Sequence, residues 1–308
     1  MIWGLASVAA LIALAPFARD RLRPAMGAEA RQSAPGEFAD LPRGRTHYRL
    51  AGPEDGPLVI LIHGLTTPSF VWTPIADHLN GQGFRTLSYD HYGRGYSDRP
   101  GGAQDEEFFL SHLSELLDHL GLRGPATVMG YSMGGAIATA WTARHPDLVR
   151  DLILLAPAGL GHDLGPVARL VANHNWVGRW LMHLTYARSF RASVEAERDI
   201  ETSQIPNVVP LQLNELRYRG FIPAVTSSLH HMLDHDVTEA HRKIAEARTP
   251  LLAIWAAEDE VIPVAGAERL AALNPGARNV IIPEAGHALA YTHSPAVTAA
   301  LDAAELRR

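Results

Sequence analysis

Short apolar runs alternate with helical segments from Thr46 onward, and this alternation limits the fold more than any other feature of the chain. The runs Leu58–Ile62 and Leu152–Leu155 are entirely aliphatic, which is typical of parallel strands buried on both faces. Helical patterns separate such runs, as in Glu106–Leu120, which is followed by Gly121. Strands that alternate with helices in this way predict an α/β fold with a doubly wound, mostly parallel sheet.

The alternation is interrupted between residues 159 and 247, where the strand pattern is absent. Apolar clusters in this stretch, such as Trp176–Leu184 and Leu211–Leu216, have helical character. An insertion of this length between two sheet strands is too long for a simple crossover. It predicts a helical cap over the strand ends, where ligands bind in such sheets. We therefore expect a core of residues 44–158 and 248–308, with residues 159–247 as the inserted cap.

The first 43 residues differ in composition from the rest of the chain. Residues 1–17 carry no charged side chain, and Arg19, Arg21 and Arg23 follow closely. Because basic residues that flank an apolar segment tend to stay in the cytoplasm, this pattern predicts a hydrophobic membrane tether with the remaining chain cytoplasmic. The alternative is a leader that packs on a soluble cytoplasmic domain. Residues 18–43 are rich in Ala, Arg, Pro and Gly, which is typical of a linker.

Net charge and composition exclude several classes of protein. The formal net charge is −6, so the chain lacks the basic footprint of a nucleic-acid-binding protein. It has no cysteine, which excludes disulfides, thiolate metal sites and a cysteine nucleophile. Among its 16 histidines, His231 and His235 have the spacing of a helical metal pair, but the H-E-x-x-H motif is absent. The sequence therefore predicts neither a metal nor a cofactor.

A sharp turn between a strand and a helix is predicted at Ser132. The segment Ala126–Gly130 has the pattern of a buried strand, Gly130-Tyr131-Ser132-Met133-Gly134 follows it, and a helical pattern starts at Met133. A G-x-S-x-G motif is a weak signal alone, but between a strand and a helix it is typical of a nucleophile elbow. The turn holds the serine hydroxyl clear of the sheet, and the amino end of the following helix favours nearby negative charge.

The strand Leu58–Ile62 ends in His63-Gly64-Leu65, and with the elbow this motif resembles the α/β-hydrolase fold family. The resemblance covers about residues 46–308 apart from the sequence details of the cap. It implies an oxyanion hole formed by the backbone N–H groups of Leu65 and Met133. Such donors stabilise the negative charge that develops only in the tetrahedral state. His63 is expected to be structural, since a serine relay needs only one base.

The same resemblance implies where the acid and the base lie. The stretch Trp255-Ala256-Ala257-Glu258-Asp259 with Pro263 is similar to the family's acid loop, W-G-x-x-D-x-x-x-P, and places the acid at Asp259. Glu258 and Glu260 are neighbouring carboxylates that could take its place. The Gly286-His287 pair after the next strand resembles the family's catalytic histidine. His293, in His293-Ser294-Pro295, stays open as a rival base.

Two further segments are singled out as scaffold and pocket. Asp90–Asp98 is similar to the family's D-x-x-G-x-G-x-S loop, whose glycines favour tight turns and a scaffold role. In the cap, Trp176, Trp180 and Met182 are candidates for substrate binding, because one face of a cap must look onto the site. Cap core is the alternative for these side chains.

These motifs predict a serine hydrolase that cleaves small-molecule carboxylic esters of small to medium acyl size, with Ser132, His287 and Asp259 as its triad. Haloalkane dehalogenases and epoxide hydrolases of this fold have Asp in place of Ser132. The alternatives that keep a serine are a carbon–carbon bond hydrolase and a cofactor-free perhydrolase. A small-molecule receptor with little turnover is the alternative from another class, since fold does not dictate function.

Overall fold

The computed structural model describes residues 2–161, 175–197, 203–234 and 236–307. The described strands are β1 Glu37–Leu41, β2 Gly44–Ala51, β3 Leu58–Ile62, β4 Arg85–Tyr89, β5 Ala126–Tyr131, β6 Val149–Leu155, β7 Leu251–Ala256 and β8 Arg278–Ile282. The described α-helices are α1 Ile2–Arg21, α2 Ala28–Arg31, α3 Thr73–Gly81, α4 Glu106–His119, α5 Met133–Arg144, α6 Asn175–Glu197, α7 Val208–Asn214, α8 Phe221–His230, α9 Thr238–Ala247, α10 Gly266–Leu273, α11 Leu289–Thr292 and α12 Ser294–Asp302. Short 3₁₀ turns lie at Ser69–Trp72, Pro146–Leu148 and Glu215–Arg217.

The strands form one sheet in the order β1-β2-β4-β3-β5-β6-β7-β8. Strand β2 is antiparallel to both β1 and β4, and the strands from β4 to β8 are parallel. The predicted mostly parallel sheet is thus confirmed. The chain passes from β4 across β3 to β5, so the strand order reverses next to β3. The carboxyl ends of β3 and β5 therefore face the crevice where ligands bind in such sheets.

The core lies on both faces of the central strands. Strands β5 and β7 are buried along their whole length, whereas most residues of the edge strand β8 are partly or fully exposed. Helix α5 is buried from Met133 to Thr142 because β5, α4 and α9 surround it. A helix in this position has to be apolar on all sides, and its sequence, rich in Ala and Gly, meets that requirement.

All regular secondary structure described between β6 and β7 is helical. It contains α6, α7, α8 and α9 with the turn Glu215–Arg217, and α6 packs against α7, α8 and α1. We refer to the described residues of this stretch, from 159 to 247, as the insert. Residues 162–174 and 198–202 of the predicted cap, and His235, lie outside the described part of the chain.

The amino-terminal region is more ordered than a linker. Strand β1 lies inside the predicted linker of residues 18–43 and pairs with β2 from Glu37 opposite Tyr48 to Leu41 opposite Gly44. The sheet therefore begins before the predicted core boundary at residue 44. The strand is short, and Ala39 is its one fully buried residue, so its apolar pattern is too weak to stand out in the sequence.

Helix α1 ends against the insert. The ring of Phe17 lies 4.6 Å from the ring of His183 on α6, and the Asp20 carboxylate accepts the N–H of Gly220 at 3.1 Å. Within the described ranges, no helix combines the length and the apolar composition needed to cross a membrane. The predicted membrane tether is therefore not supported.

His241 is a fully buried histidine of α9. Neither of its ring nitrogens has a hydrogen-bond partner among the residues that the structure describes. Burial lowers the pKa of this imidazole from 6.5 to about 4, because the charged form cannot be solvated there. The unfolded chain therefore takes up this proton more readily, and stability is lost as the pH falls from about 6.5 towards 4.

We expect His241→Leu to reduce this acid sensitivity. Its free energy of unfolding should fall less between pH 7 and pH 4 than that of the unsubstituted protein, by up to about 3 kcal/mol. Urea unfolding between pH 4 and pH 8 measures the difference. His119→Leu, at an exposed position near the end of α4, is the control and should leave the pH dependence unchanged. Identical pH profiles for His241→Leu and the unsubstituted protein would contradict the assignment.

Candidate active site

Ser132 occupies the turn between β5 and α5 in a conformation that side chains rarely adopt. Its backbone has φ 56° and ψ −120°. Its N–H donates to the carbonyl of Leu155 at 2.9 Å, while its carbonyl accepts the N–H groups of Gly135 at 2.9 Å and Ala158 at 3.0 Å. The backbone is thus held on both sides of the residue, which keeps the strained turn in place.

Two glycines allow this turn to pack so closely. A Cβ on Gly130 would overlap the carbonyl of Gly134, and a Cβ on Gly134 would overlap the carbonyls of Ile62 and His63. The first turn of α5 therefore lies directly on the ends of β3 and β5. Glycine is required at both positions because backbone atoms occupy the space that a side chain would need.

The structure brings Ser132, His287 and Asp259 together in one hydrogen-bonded chain. Nε2 of His287 lies 3.1 Å from Oγ of Ser132, and Nδ1 of His287 lies 2.8 Å from Oδ2 of Asp259. The other carboxylate oxygen of Asp259 accepts the N–H groups of Val261 at 2.8 Å and Ile262 at 2.7 Å. These bonds orient the carboxylate towards the imidazole. With Nδ1 donating to Asp259, Nε2 is free to accept the hydroxyl proton of Ser132.

Hydrogen bonds to backbone carbonyls hold together the loops that carry Asp259 and His287. The N–H of Glu258 donates to the carbonyl of Ala285 at 2.9 Å, which joins the loop after β7 to the loop after β8. The hydroxyl of Tyr131, next to the serine, donates to the carbonyl of His287 at 2.7 Å. Residues more than 150 positions apart in the chain are thus fixed against each other at one edge of the sheet.

The rival side chains lie elsewhere. Glu258 and Glu260 are exposed, whereas the side chain of Asp259 is fully buried. Nδ1 of His293 lies 3.0 Å from the hydroxyl of Thr292. The imidazole that contacts Ser132 is therefore that of His287.

The two predicted oxyanion donors flank the serine. A Cβ on Gly64 would lie 3.2 Å from Cβ of Ser132, so the loop that carries Leu65 runs beside the serine side chain. Met133 is the first residue of α5, where the N–H has no partner within the helix. Both N–H groups thus belong to segments next to Ser132, and the amino end of α5 adds favourable potential for an anion.

His63 braces this loop instead of facing the serine. Its Nδ1–H donates to the carbonyl of Gly64 at 2.8 Å, and its Nε2 accepts the N–H of His91 at 2.9 Å. Burial lowers its pKa to about 4, so the ring is neutral at pH 7. Both ring nitrogens are used within the scaffold.

Comparison with known proteins places this chain in a fold family. The profile of the alpha/beta hydrolase fold matches residues 57–294. The chain belongs to the α/β-hydrolase fold family. This hydrolase is 28% identical over 257 residues to an uncharacterised protein of Mycobacterium tuberculosis, a match that covers 79% of this chain and 73% of that protein.

A relative of known activity and a solved structure are also similar to this chain. A pimeloyl-[acyl-carrier protein] methyl ester esterase of Aliivibrio salmonicida is 25% identical over 250 residues, covering 78% of this chain and 88% of that protein. The crystal structure of the enol-lactonase from Burkholderia xenovorans LB400 superposes with a TM-score of 0.71 at 24% identity, covering 86% of this chain and 98% of that one. The structural likeness supports the fold.

The loop Asp90–Asp98 contacts His63 and Leu65 in the segment His63–Thr67 after β3, the predicted oxyanion loop. The buried carboxylate of Asp90 accepts hydrogen bonds from Nδ1 of His47 at 2.7 Å and from the N–H groups of Tyr96 and Ser69, each at 2.9 Å. Burial lowers the pKa of His47, but the Asp90 carboxylate outweighs burial and raises it above 6.5. These contacts are structural.

Two polar residues of the insert also reach the loops of the site, and sequence reasoning missed both. The amide of Gln212 donates to the hydroxyl of Thr67 at 3.3 Å, and the carboxylate of Glu215 accepts the N–H of Gly95 at 3.0 Å. Both side chains are buried. In a helical segment such residues have the pattern of a solvent-exposed face, so the sequence carries no signal for these contacts.

The three candidates for substrate binding lie on α6 in different environments. Trp176 is 64% exposed, Met182 is 4% exposed, and Trp180 is half-buried. In the described part of the chain, no hydrogen bond or ring contact joins them to Ser132 or His287. Their contact with substrate stays a prediction.

The described residues contain no cluster of side chains suited to a metal ion. Across residues 2–161, 175–197, 203–234 and 236–307, no group of three histidine or acidic side chains could hold a metal ion. The pair of His231 and His235 is left undecided because His235 lies outside the described residues.

Because its turn is strained, position 132 should reverse the usual order of stability, in which an alanine variant is more stable than a glycine variant. We expect Ser132→Gly to be more stable than Ser132→Ala by about 1 to 2 kcal/mol, because only glycine adopts this backbone conformation without strain. Thermal and urea unfolding of the two variants measure the difference. Ser189, at an exposed position within α6, is the control, and there alanine should be more stable than glycine by about 1 kcal/mol. The same order at both positions would show that Ser132 is unstrained.

Proposed function

We propose that this hydrolase cleaves carboxylic esters of small to medium acyl size through an acyl-enzyme on Ser132. The observation that carries the proposal is the continuous hydrogen-bonded chain from Ser132 through His287 to Asp259. A serine hydroxyl is a weak nucleophile until an adjacent base removes its proton, and this chain supplies such a base with an orienting carboxylate.

In the proposed reaction, His287 takes the hydroxyl proton as Ser132 attacks the carbonyl carbon of the ester. The carbonyl oxygen becomes an oxyanion, which the N–H groups of Leu65 and Met133 stabilise. Collapse of this intermediate breaks the bond to the alkoxy group, which leaves as an alcohol with the proton from His287. Water, activated by the same imidazole, then attacks the acyl-enzyme and releases the acid.

Asp259 serves this cycle without transferring a proton. Its carboxylate keeps the imidazole in the tautomer that accepts from the serine and stabilises the imidazolium that forms. Each oxyanion donor contributes about 3 kcal/mol, since the negative charge appears only after attack. Trp176, Trp180 and Met182 are proposed to contact the acyl group of the substrate.

The nature of the elbow residue supports an ester substrate. Ser132 stands where dehalogenases and epoxide hydrolases of this fold have the aspartate that forms their covalent intermediate. The pimeloyl-[acyl-carrier protein] methyl ester esterase, 25% identical, also supports ester cleavage. A carbon–carbon bond hydrolase, a perhydrolase and a low-turnover receptor are the alternatives.

Substitutions in the relay should act non-additively. We expect Ser132→Ala and His287→Ala each to lower kcat by several orders of magnitude, on the order of 10⁴-fold or more, and the double variant to lose little beyond either. Hydrolysis of p-nitrophenyl acetate and labelling with a fluorophosphonate measure the effect. His293→Ala is the control and should keep near wild-type kcat. Activity that survives in His287→Ala and is lost in His293→Ala would contradict the assignment of the base.

A panel of p-nitrophenyl esters with acyl chains of increasing length distinguishes the alternatives. We expect turnover on short to medium chains, with kcat/KM falling as the acyl group outgrows the pocket. A serine that is labelled by the fluorophosphonate without turnover of any ester would favour carbon–carbon hydrolysis or perhydrolysis. A folded protein that is not labelled would favour the receptor.

A further inference from the structure

Arg94 is a fully buried arginine in the glycine turn of the Asp90–Asp98 loop. Its guanidinium donates only to uncharged acceptors among the residues described. These acceptors are the carbonyl of Leu65 at 3.0 Å, the carbonyl of Tyr92 at 3.2 Å, the side-chain oxygen of Gln104, the hydroxyl of Ser228 at 2.8 Å and the carbonyl of Ala224 at 3.4 Å.

Two hydrogen bonds hold the peptide groups on either side of Leu65, and Arg94 makes one of them. The N–H of Leu65 belongs to the peptide group whose carbonyl is that of Gly64, and Nδ1–H of His63 holds this carbonyl at 2.8 Å. Arg94 holds the carbonyl of the following peptide group at 3.0 Å. With the planes on both sides of Leu65 held, its backbone dihedrals are set, and so is the direction of its N–H.

The same guanidinium connects this loop to the insert. Ser228 and Ala224 both lie on α8, and the hydroxyl of Ser228 lies 2.8 Å from the side-chain oxygen of Gln104, which also binds Arg94. Next to Arg94, the N–H of Gly95 donates to Glu215 of the insert. One side chain, that of Arg94, thus bonds both α8 and the carbonyl of Leu65.

Arginine suits this place because it alone offers five donors in a fixed plane. Burial lowers the pKa of Arg94 to about 9, so the guanidinium remains charged at pH 7. The Glu215 carboxylate nearby favours the charged form, but burial outweighs this attraction. A buried charge that hydrogen-bonds no carboxylate costs more than a neutral side chain of similar size. Stability alone is thus a poor reason for an arginine here, whereas a need to hold several carbonyls at once explains it.

We propose that Arg94 is a positioning residue. It fixes the N–H of Leu65, the proposed oxyanion donor, and makes the orientation of this N–H depend on the position of α8. This inference rests on the proposed function, because the oxyanion forms only if Ser132 attacks a carbonyl. Arg94 does not touch the substrate and acts through the Leu65 peptide.

The test compares Arg94→Lys and Ser228→Ala with the unsubstituted protein on p-nitrophenyl acetate. A lysine has fewer donors and cannot hold the Leu65 carbonyl and α8 together. We expect kcat of Arg94→Lys to fall about 10- to 100-fold with KM changed by less than about 3-fold, since misplaced donors weaken mainly the transition state. Inhibition by a trifluoromethyl ketone, whose adduct with Ser132 carries an oxyanion, should weaken by a similar factor.

Ser228→Ala keeps the inference testable if Arg94→Lys does not fold. It removes one bond to Arg94 and one to Gln104, and it leaves the contacts of Leu65 untouched. We expect a smaller loss in kcat, about 3- to 10-fold, in the same direction. Thr226→Ala is the matched control on α8, because among the described residues the buried Thr226 hydroxyl bonds only the carbonyl of Ile222 in its own helix. It should leave kcat and the inhibitor affinity unchanged.

The outcomes separate this inference from the proposed function. Wild-type kcat in the folded Arg94 and Ser228 variants, or losses confined to KM, with Ser132→Ala inactive, would overturn the role of Arg94 alone. Wild-type activity in Ser132→Ala would overturn the proposed function and the inference with it. A parallel loss of kcat and inhibitor affinity in Ser228→Ala but not in Thr226→Ala would support the role of Arg94.

Discussion

The packing of α5 on the ends of β3 and β5 is the contact on which the rest of the site depends. At Gly130 and Gly134 the backbones meet with no room for a side chain. This approach forces Ser132 into its strained turn, points the amino end of α5 at the serine hydroxyl, and brings Gly64 against the serine side chain. The position of Ser132 and of the two segments that carry the proposed oxyanion donors thus follows from one backbone contact. The loops that carry Asp259 and His287 come from β7 and β8, which lie beyond β6 in the sheet.

The fold and the chain of hydrogen bonds from Ser132 to Asp259 were predictable from sequence because both have local signals. Ser132 and Asp259 follow the buried strands β5 and β7, and His287 follows the edge strand β8, so the parallel sheet gathers them at the carboxyl ends of its strands. The contacts of Arg94 and Glu215 could not be predicted, because each joins segments whose relative placement depends on how the insert packs. The environment of Trp176 was equally open, since the exposed face of α6 depends on α1 and α7.

The histidines of this chain differ in pKa and in hydrogen-bonding role because their surroundings differ. His287 lies in the serine relay, and His63 is a neutral brace because burial lowers its pKa to about 4. His47 is the opposite case, since the Asp90 carboxylate outweighs burial and raises its pKa. His241 is buried with both nitrogens unpartnered among the described residues. An unusual histidine content is therefore no indication of a metal site here, because several of these rings serve as structural groups.

Polar bonds tie the insert to the core at several buried positions. Lifting the insert as one hinged lid would break the bonds of Gln212 to Thr67 and of Glu215 to Gly95, and would strip Ser228 and Ala224 from the Arg94 guanidinium. Each of these groups is buried, and exposing a buried polar network without new partners is costly. These bonds therefore oppose a lid-like motion of the insert as one body, because such a motion would leave several buried polar groups without partners at the same time.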